Sequence, residues 1–243
     1  VSRRTGDAIA IPGDYQHRAL LEGSPVQRFW HLGKLMAAER ALGPLHGDVL
    51  LDVGCGSGVL CGRLARTPGV RVIGVDANAD AIAFATRTYG AENVEFRLGL
   101  ADELDLRGLG IRKIAFLEVL EHLPPAQARE ALRGFGDLLP IGGRIVLTTP
   151  NARSAWPVVE WAMDRLRLAP ALAGEQHVSS WTPDAVAALA RSAGFDVATL
   201  GTVHLCAPWA AALSGRLAHR LHELEQRSSI GYGALVLASL VKT

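Results

Sequence analysis

Residues 50–58 read Leu-Leu-Asp-Val-Gly-Cys-Gly-Ser-Gly, an apolar run that ends in an acid and then carries glycines at alternate positions. Such a run before a glycine turn is the pattern of a buried parallel strand, and Gly54, Gly56 and Gly58 remove Cβ atoms where the chain leaves its carboxyl end. Open α/β sheets collect their ligands at that edge. The spacing is G-x-G-x-G, which departs from the dinucleotide fingerprint G-x-G-x-x-G, and Asp52 just before it suits a cationic ligand better than a pyrophosphate. Asp76 follows Val72-Ile73-Gly74-Val75 at the end of a second strand, where a carboxylate can accept both hydroxyls of a ribose.

From residue 48 onward strand and helix patterns alternate. Helical spacing covers 58–67, 78–89, 125–139 and 183–193, and β-rich runs cover 48–53, 70–75, 93–98, 112–117, 143–149, 195–204 and 234–241. Alternation of this kind builds a parallel sheet with helices on both faces. Pro124-Pro125 opens a helix, Pro140 ends it, and Gly142-Gly143 turns into the fifth strand. Three segments stand outside the alternation. Residues 1–47 form an N-terminal helical cap, with a helix over 26–42 whose apolar face carries Phe29, Trp30, Leu35 and Met36. Residues 150–180 interrupt the pattern with a stretch at helical spacing over 156–168, the best candidate for a substrate cap. Residues 207–227 repeat Trp209, Leu213, Leu217, Leu221 and Leu224 at steps of three or four; this reads as a core-facing amphipathic helix, with a lid or a membrane-contacting face as the alternatives.

At 243 residues the chain fits one α/β domain with an extension. A net charge of +1 with 20% charged residues gives no bulk attraction to nucleic acid or anionic membrane, so a small, largely uncharged substrate is favoured. Cys55, Cys61 and Cys206 make no C-x-x-C pair, which fits a reducing compartment. No apolar run is long enough to span a bilayer and the first residues lack a signal-peptide core, so the expected location is cytoplasmic; a homodimer is left open.

Three stretches together resemble the class I S-adenosylmethionine (SAM) methyltransferases: Leu51-Asp52-Val53-Gly54-Cys55-Gly56-Ser57-Gly58, then Val75-Asp76, then Phe116-Leu117-Glu118-Val119-Leu120-Glu121-His122-Leu123. The resemblance covers about residues 48–243, the SAM-binding domain, with cap insertions near 151–180 and 207–227. It implies a Rossmann-like α/β fold, a seven-stranded, mostly parallel sheet whose last strand is antiparallel, with helices on both faces and added lid helices. It also implies SAM as cofactor, with Asp52, Gly54, Cys55, Gly56 and Gly58 around the methionine moiety, Asp76 on the ribose, Ala77 beside the adenine and Leu117 lining the same pocket. Leu100 stands where relatives usually carry an adenine-contacting aspartate, so Asp102, with Ala101, or backbone takes that place.

The remaining motif, Glu118-x-x-Glu121-His122, has groups at i, i+3 and i+4 that converge on one point if the turn is helical. With His177 they make two carboxylates and two imidazoles, a set that suits magnesium, manganese, iron or zinc, the harder ions most. The pattern is similar to that of the small-RNA 3′-terminal ribose methyltransferases, in which the corresponding groups hold a divalent metal. It also resembles the ubiquinone-biosynthesis O-methyltransferases, and both relatives methylate oxygen. Without a metal, His122 is the leading general base, with Glu121 beside it, since an imidazole's ordinary pKa suits proton transfer near neutrality. Trp30, His31, Asn151 and Trp156 are the candidate substrate contacts. The expected function is O-methylation of a small hydroxylated metabolite such as a natural product, a quinone-like phenol or a sugar. Alternatives are 2′-O-methylation of an RNA 3′ terminus, disfavoured by the absence of a basic, aromatic-interleaved run, N- or C-methylation of a small molecule, and a SAM-binding scaffold without turnover.

Overall fold

The protein is described by a computed structural model over residues 12–155, 178–227 and 231–243. Two helices precede the sheet, α1 (Tyr15–Leu21) and α2 (Pro25–Leu42). The strands and helices then follow as β1 (Val49–Val53), α3 (Val59–Leu64), β2 (Arg71–Asp76), α4 (Ala79–Tyr89), β3 (Val94–Leu98) and β4 (Ile111–Leu117). A single 3₁₀ turn, Leu120–His122, leads to α5 (Pro125–Leu138), β5 (Arg144–Pro150), α6 (Pro183–Ser192) and β6 (Phe195–Val203). Two further helices, α7 (Ala207–Ala210) and α8 (Gly215–Arg227), come before β7 (Leu235–Lys242). Local chemistry starts several of these elements. The Ser24 hydroxyl accepts from the Gln27 N–H with Pro25 in the first turn, and Asn78 and Thr182 cap α4 and α6 in the same way.

The seven strands lie in the order β3-β2-β1-β4-β5-β7-β6, and β7 alone runs antiparallel, to both β5 and β6. Period-2 alternation feeds two cores. Leu51, Val53, Ile73, Val75, Ile114, Phe116, Ile145 and Leu147 point to one face, where α5 and α6 add Leu132, Phe135, Val186 and Leu189. Leu50, Val72, Ala115 and Val146 point to the other, where α2 and α3 add Leu35, Leu42, Leu60 and Leu64. Strands buried on both faces explain why each reads as a continuous apolar run. The strand order reverses around β1 and β4, which opens a crevice at their carboxyl ends, and the loops after β1, β2, β4 and β5 all emerge there.

The segment at 207–227 differs from its expected arrangement. The chain breaks between α7 and α8, and most of the stripe faces outward: Trp209, Leu217 and Leu224 are exposed and Leu213 is 84% exposed, while Leu221 packs half-buried against the Phe29 cluster. Ala218 and His222 are the residues buried instead, against Phe29 and Ala207, because Glu225 turns back and accepts the N–H groups of Leu205, Cys206 and Ala207. The expected cap stretch at 156–168, with Trp156 and His177, lies outside the described residues. Among the described residues no helix is long and apolar enough to cross a membrane.

Phe116 tests the larger core. It is fully buried in the centre of the sheet and meets Phe135 edge-on at 5.1 Å between ring centroids. Phe116→Ala is expected to destabilise the fold by about 3–5 kcal/mol, the cost of the lost burial and the cavity left behind, measured by urea unfolding of the full chain.

Candidate functional site

The glycine loop divides its labour. Gly54 has φ +73° and a Cβ there would stand 2.4 Å from a Val119 methyl, while Gly58, with φ +77°, faces Phe96 and Ala85 at 2.8 Å. Both positions are demanded by packing and by left-handed backbone. Gly56 alone looks toward open ligand space, where its nearest neighbour is the flexible amide of Gln16 at 3.3 Å. The loop is pinned from below by Gly54 and Cys55 N–H groups donating to the Val75 carbonyl. Asp76 pins it from the side: one carboxylate oxygen accepts the Gly56 N–H at 2.8 Å and the other the Asn78 N–H at 2.8 Å. Each oxygen keeps a free lone-pair direction, and the side chain is half-buried at the crevice.

Beside Asp76 the crevice turns apolar. Ala77 is exposed, Leu98 pairs with Asp76 across β2 and β3, and Leu98 and Leu100 are both exposed although large and apolar. Ala101 packs half-buried against the core, and Asp102 points into solvent. Leu98 is the apolar surface that sequence reading passed over; Leu100 was placed there as the residue standing in for an expected aspartate, and the missed signal was the second apolar residue on the other side of Gly99.

On the other side of the loop the helical cap closes a small cleft of about 20 Å³, lined by Gln16, His31, Lys34, Asp52, Gly54, Cys55 and Leu117 among others. The α1 helix reaches this point through its His17 N–H, which donates to the Ser57 hydroxyl. Two buried charged-type side chains, Lys34 and Asp52, stand in its wall, and two glutamates lie beyond it. Lys34, 3% exposed, extends from α2 to an ion pair with Glu118 just beyond β4. Glu118 has φ +55°, a left-handed conformation uncommon outside glycine, and its N–H is held by the Thr148 carbonyl. Asp52, buried, accepts from the Cys61 thiol at 3.3 Å. Glu121, also buried, accepts from the Thr149 hydroxyl at 3.0 Å.

Burial sets the protonation of these groups. It pushes Asp52 up to about 7, and the nearby Asp76 charge adds to the effect. Glu121 rises to about 8 through burial and then the charge of Glu118. Burial also acts to raise Glu118, but the Lys34 charge and hydrogen bond outweigh it and hold that carboxyl below its ordinary value. His31 falls to about 4 through burial and then the Lys34 charge, so it lines the cleft as a neutral ring, edge-on to Tyr15.

Several expected site residues have other employment. Glu118, Glu121 and His122 do not form a ligand set, and among the described residues no three His, Cys, Asp or Glu side chains are grouped to hold a metal ion. The reason is local: Glu118 sits in left-handed backbone and turns to Lys34, and Glu121 belongs to a 3₁₀ turn and faces Thr149. His177 lies outside the described residues. The donors present do not fit a divalent ion in this arrangement. Trp30 packs on His204 at 4.6 Å and against β6 and β7, away from the cleft. Asn151 is buried and spends its amide on the turn, donating to Gly231 and Gly233 carbonyls and accepting from the Arg153 N–H.

A methyltransferase domain family matches residues 26–200 of the chain. A ubiquinone biosynthesis O-methyltransferase of Azorhizobium caulinodans is 33% identical over 147 residues, 59% of this chain and 52% of that protein. The chain thus spans about half the length of the first curated relatives it matches. Coverage is broader for the enzyme of the same name from Cereibacter sphaeroides, 33% identical over 183 residues, 71% of this chain and 70% of the relative. Among solved structures, a geranyl diphosphate methyltransferase in complex with SAM superposes with a TM-score of 0.64 at 18% identity, over 98% of this chain and 94% of that one; the likeness is one of fold.

The raised Asp52 gives a pH signature. A carboxyl held near 7 in the fold and near ~4 in the unfolded chain stabilises the fold fully below the unfolded value and loses that contribution as pH rises through the folded one. Asp52→Asn removes the group. Its stability relative to the parent, measured by thermal denaturation without ligand, is expected to improve from about pH 4 to pH 7 and then level off, by roughly 1–4 kcal/mol.

Proposed function

We propose that this chain, which belongs to the SAM-dependent methyltransferase family, transfers a methyl group to an oxygen of a small hydroxylated molecule. The single observation that carries the acceptor class is the wall of the cleft: beside the glycine loop it presents Lys34, which pairs with Glu118 beyond it, and neutral His31, groups that hold and orient hydroxyl oxygens. Support comes from the relatives named as O-methyltransferases at 33% identity. A nucleic-acid acceptor is disfavoured by the net charge of +1.

The cofactor half of the reading rests on features that suit SAM. Asp76, tethered by two backbone N–H groups and still able to accept, would take the ribose hydroxyls; Leu98 and Leu100 would flank the adenine; and Gly56, facing only the Gln16 amide, would let the methionine moiety lie against the loop once that amide swings aside. Buried Asp52 would meet the cationic end. When bound, SAM supplies a methyl on a sulfonium: the acceptor oxygen's lone pair forms the O–CH₃ bond, the S–CH₃ bond breaks and its electron pair stays on sulfur.

The chain's own residues then have limited tasks. His122, half-buried at the end of the 3₁₀ turn, would take the hydroxyl proton, and the cap helices exclude water from the reacting atoms. No metal enters this reading, because the carboxylates of the expected set carry other partners. The domain division, with residues 1–47 as a cap over the SAM-binding part, belongs to the same proposal.

Two variants test it. Asp76→Ala is expected to weaken S-adenosylhomocysteine binding by about 10- to 100-fold in calorimetry, the loss of two hydrogen bonds to a charged group; unchanged affinity defeats the ribose role. His122→Ala is expected to lower methyl transfer to a small diphenol by about 10²- to 10⁴-fold with S-adenosylhomocysteine affinity intact. Transfer of labelled methyl to an RNA oligonucleotide and to no small phenol would overturn the acceptor class.

A further inference from the structure

We propose that Ser179 and Trp181 are positioning residues for His122, locking the 3₁₀ turn that carries it so that its imidazole meets the acceptor hydroxyl in one orientation. The inference rests on the reading of His122 as the proton acceptor and extends it to a segment distant in the chain.

The sequence leaves this turn short of donors. In an α-helix the Leu120 carbonyl would accept from residue 124 and the Glu121 carbonyl from residue 125, and both positions are proline, which has no N–H. The tighter i+3 pairing serves Leu120 through the Leu123 N–H at 3.2 Å, but for Glu121 it again reaches Pro124. Both residues are buried, Leu120 at 0% and Glu121 at 3% exposed, so bulk water is not at hand to complete the pairing. The Glu121 carbonyl needs a donor from elsewhere in the chain.

Residues 178–181 supply it. The Val178 and Ser179 N–H groups donate to the Glu121 carbonyl at 2.9 and 3.1 Å. The Trp181 indole N–H donates to the Ser179 hydroxyl at 2.7 Å and also lies 3.3 Å from the Leu120 carbonyl. An indole is a donor only, so the hydroxyl that accepts from it turns its own proton toward the turn, where the Leu120 and Glu121 carbonyls stand at 3.3 and 3.4 Å. The segment is itself held at the end of β5: the Ala152 N–H donates to the Trp181 carbonyl at 2.8 Å, and Asn151 and Trp181 form a parallel bridge. The Trp181 ring is buried in the larger core.

These bonds converge on one peptide unit. The carbonyl of the Glu121–His122 peptide is held by Val178 and Ser179 and its N–H by the Val119 carbonyl at 3.1 Å, so both ends of the plane that sets the direction of the His122 side chain are tied. Thr149 of β5 holds the Glu121 carboxyl from the other side. Beyond His122 the chain enters extended backbone at Leu123 and then the two prolines, which give the turn no N–H from that direction. The two backbone N–H groups already satisfy the Glu121 carbonyl; the hydroxyl and the indole add a second tie, whose effect is to restrict the tilt of the turn. A proton acceptor works only within hydrogen-bond reach of its proton, and a displacement of about 1 Å at a reacting group can cost about 10²-fold in rate.

The test is methyl transfer from SAM to catechol by the full chain, followed with labelled methyl so that slow variants remain measurable. Ser179→Ala and Trp181→Phe are expected to lower kcat by about 10- to 100-fold, with S-adenosylhomocysteine affinity and the KM for catechol within about 3-fold of the parent, and Ser179→Thr to keep most of the rate. The deciding readout is coupling. Added to His122→Ala, Ser179→Ala is expected to cost nothing further, because a residue acting through the imidazole then has nothing left to position. A double variant that falls below His122→Ala by the full factor seen in the parent background overturns the inference and assigns Ser179 to folding alone. Parental kcat in both Ser179→Ala and Trp181→Phe, with His122→Ala impaired, overturns it too, and in either case the reading of His122 stands. Thermal unfolding checks integrity, and where Trp181→Phe fails to fold, Ser179→Ala decides. A His122→Ala protein with the parental rate defeats the proton-acceptor reading, a parent that transfers no methyl to catechol defeats the acceptor class, and the inference falls with either.

Discussion

Three acidic side chains meet the carboxyl edge of the sheet, Asp52 and Glu121 buried and Glu118 half-buried, and one buried ammonium, Lys34, sits among them. The charges do not balance, and the structure resolves the imbalance by protonation. Glu118 takes the lysine and stays ionised, whereas Asp52 and Glu121 rise toward neutrality under burial. Helix α2 is tied to the crevice by this arrangement, since it contributes the side chain that pairs with Glu118. A cationic ligand next to Asp52 would favour the ionised form of that carboxyl, which is how the proposed role of Asp52 toward SAM would operate.

Much of this architecture was legible because it is written in periodicity. Strands buried on two faces leave unbroken apolar runs, and the glycine and proline punctuation between them set the helix ends to within a few residues, as at Pro125 and Pro183. The glycine loop was legible as a loop, though not its division of labour: only tertiary packing reveals that Val119 forbids a side chain at Gly54 while Gly56 faces the ligand side. Lys34 was not legible at all. A lysine in a helix ordinarily snorkels to water, and nothing local distinguishes the one that turns inward to an acid 84 positions away in the chain.

Two departures from the expected local geometry have a common cause. Both the Glu118-x-x-Glu121-His122 motif and the leucine stripe of 209–224 were read on the period of an ideal helix. Neither segment is one continuous helix. The first passes through left-handed backbone and a 3₁₀ turn, so groups at i, i+3 and i+4 do not share the face of an α-helix, and Glu118 and Glu121 take the separate partners Lys34 and Thr149. The second breaks ahead of Gly215, and Glu225, by accepting three N–H groups at the start of α7, rotates α8 so that Ala218 and His222 face inward. Spacing predicts a shared face only where the backbone between the residues holds one conformation.

The cleft is therefore built from two kinds of information. One side of it is backbone and strand-end chemistry, the glycine loop and Asp76, fixed by the sheet and by hydrogen bonds between neighbours. The other side depends on α1 and α2, which reach the crevice through a few long-range contacts: His17 to Ser57, Gln16 over Gly56, and Lys34 to Glu118. Substitutions on those helices would alter that side of the crevice without disturbing the sheet, because α2 adds only one edge of the second core while the first closes without it. Under the proposed reading, one fold would in this way keep its methyl donor and exchange its acceptors through the helices that cover the site and not through the motif that identifies the family.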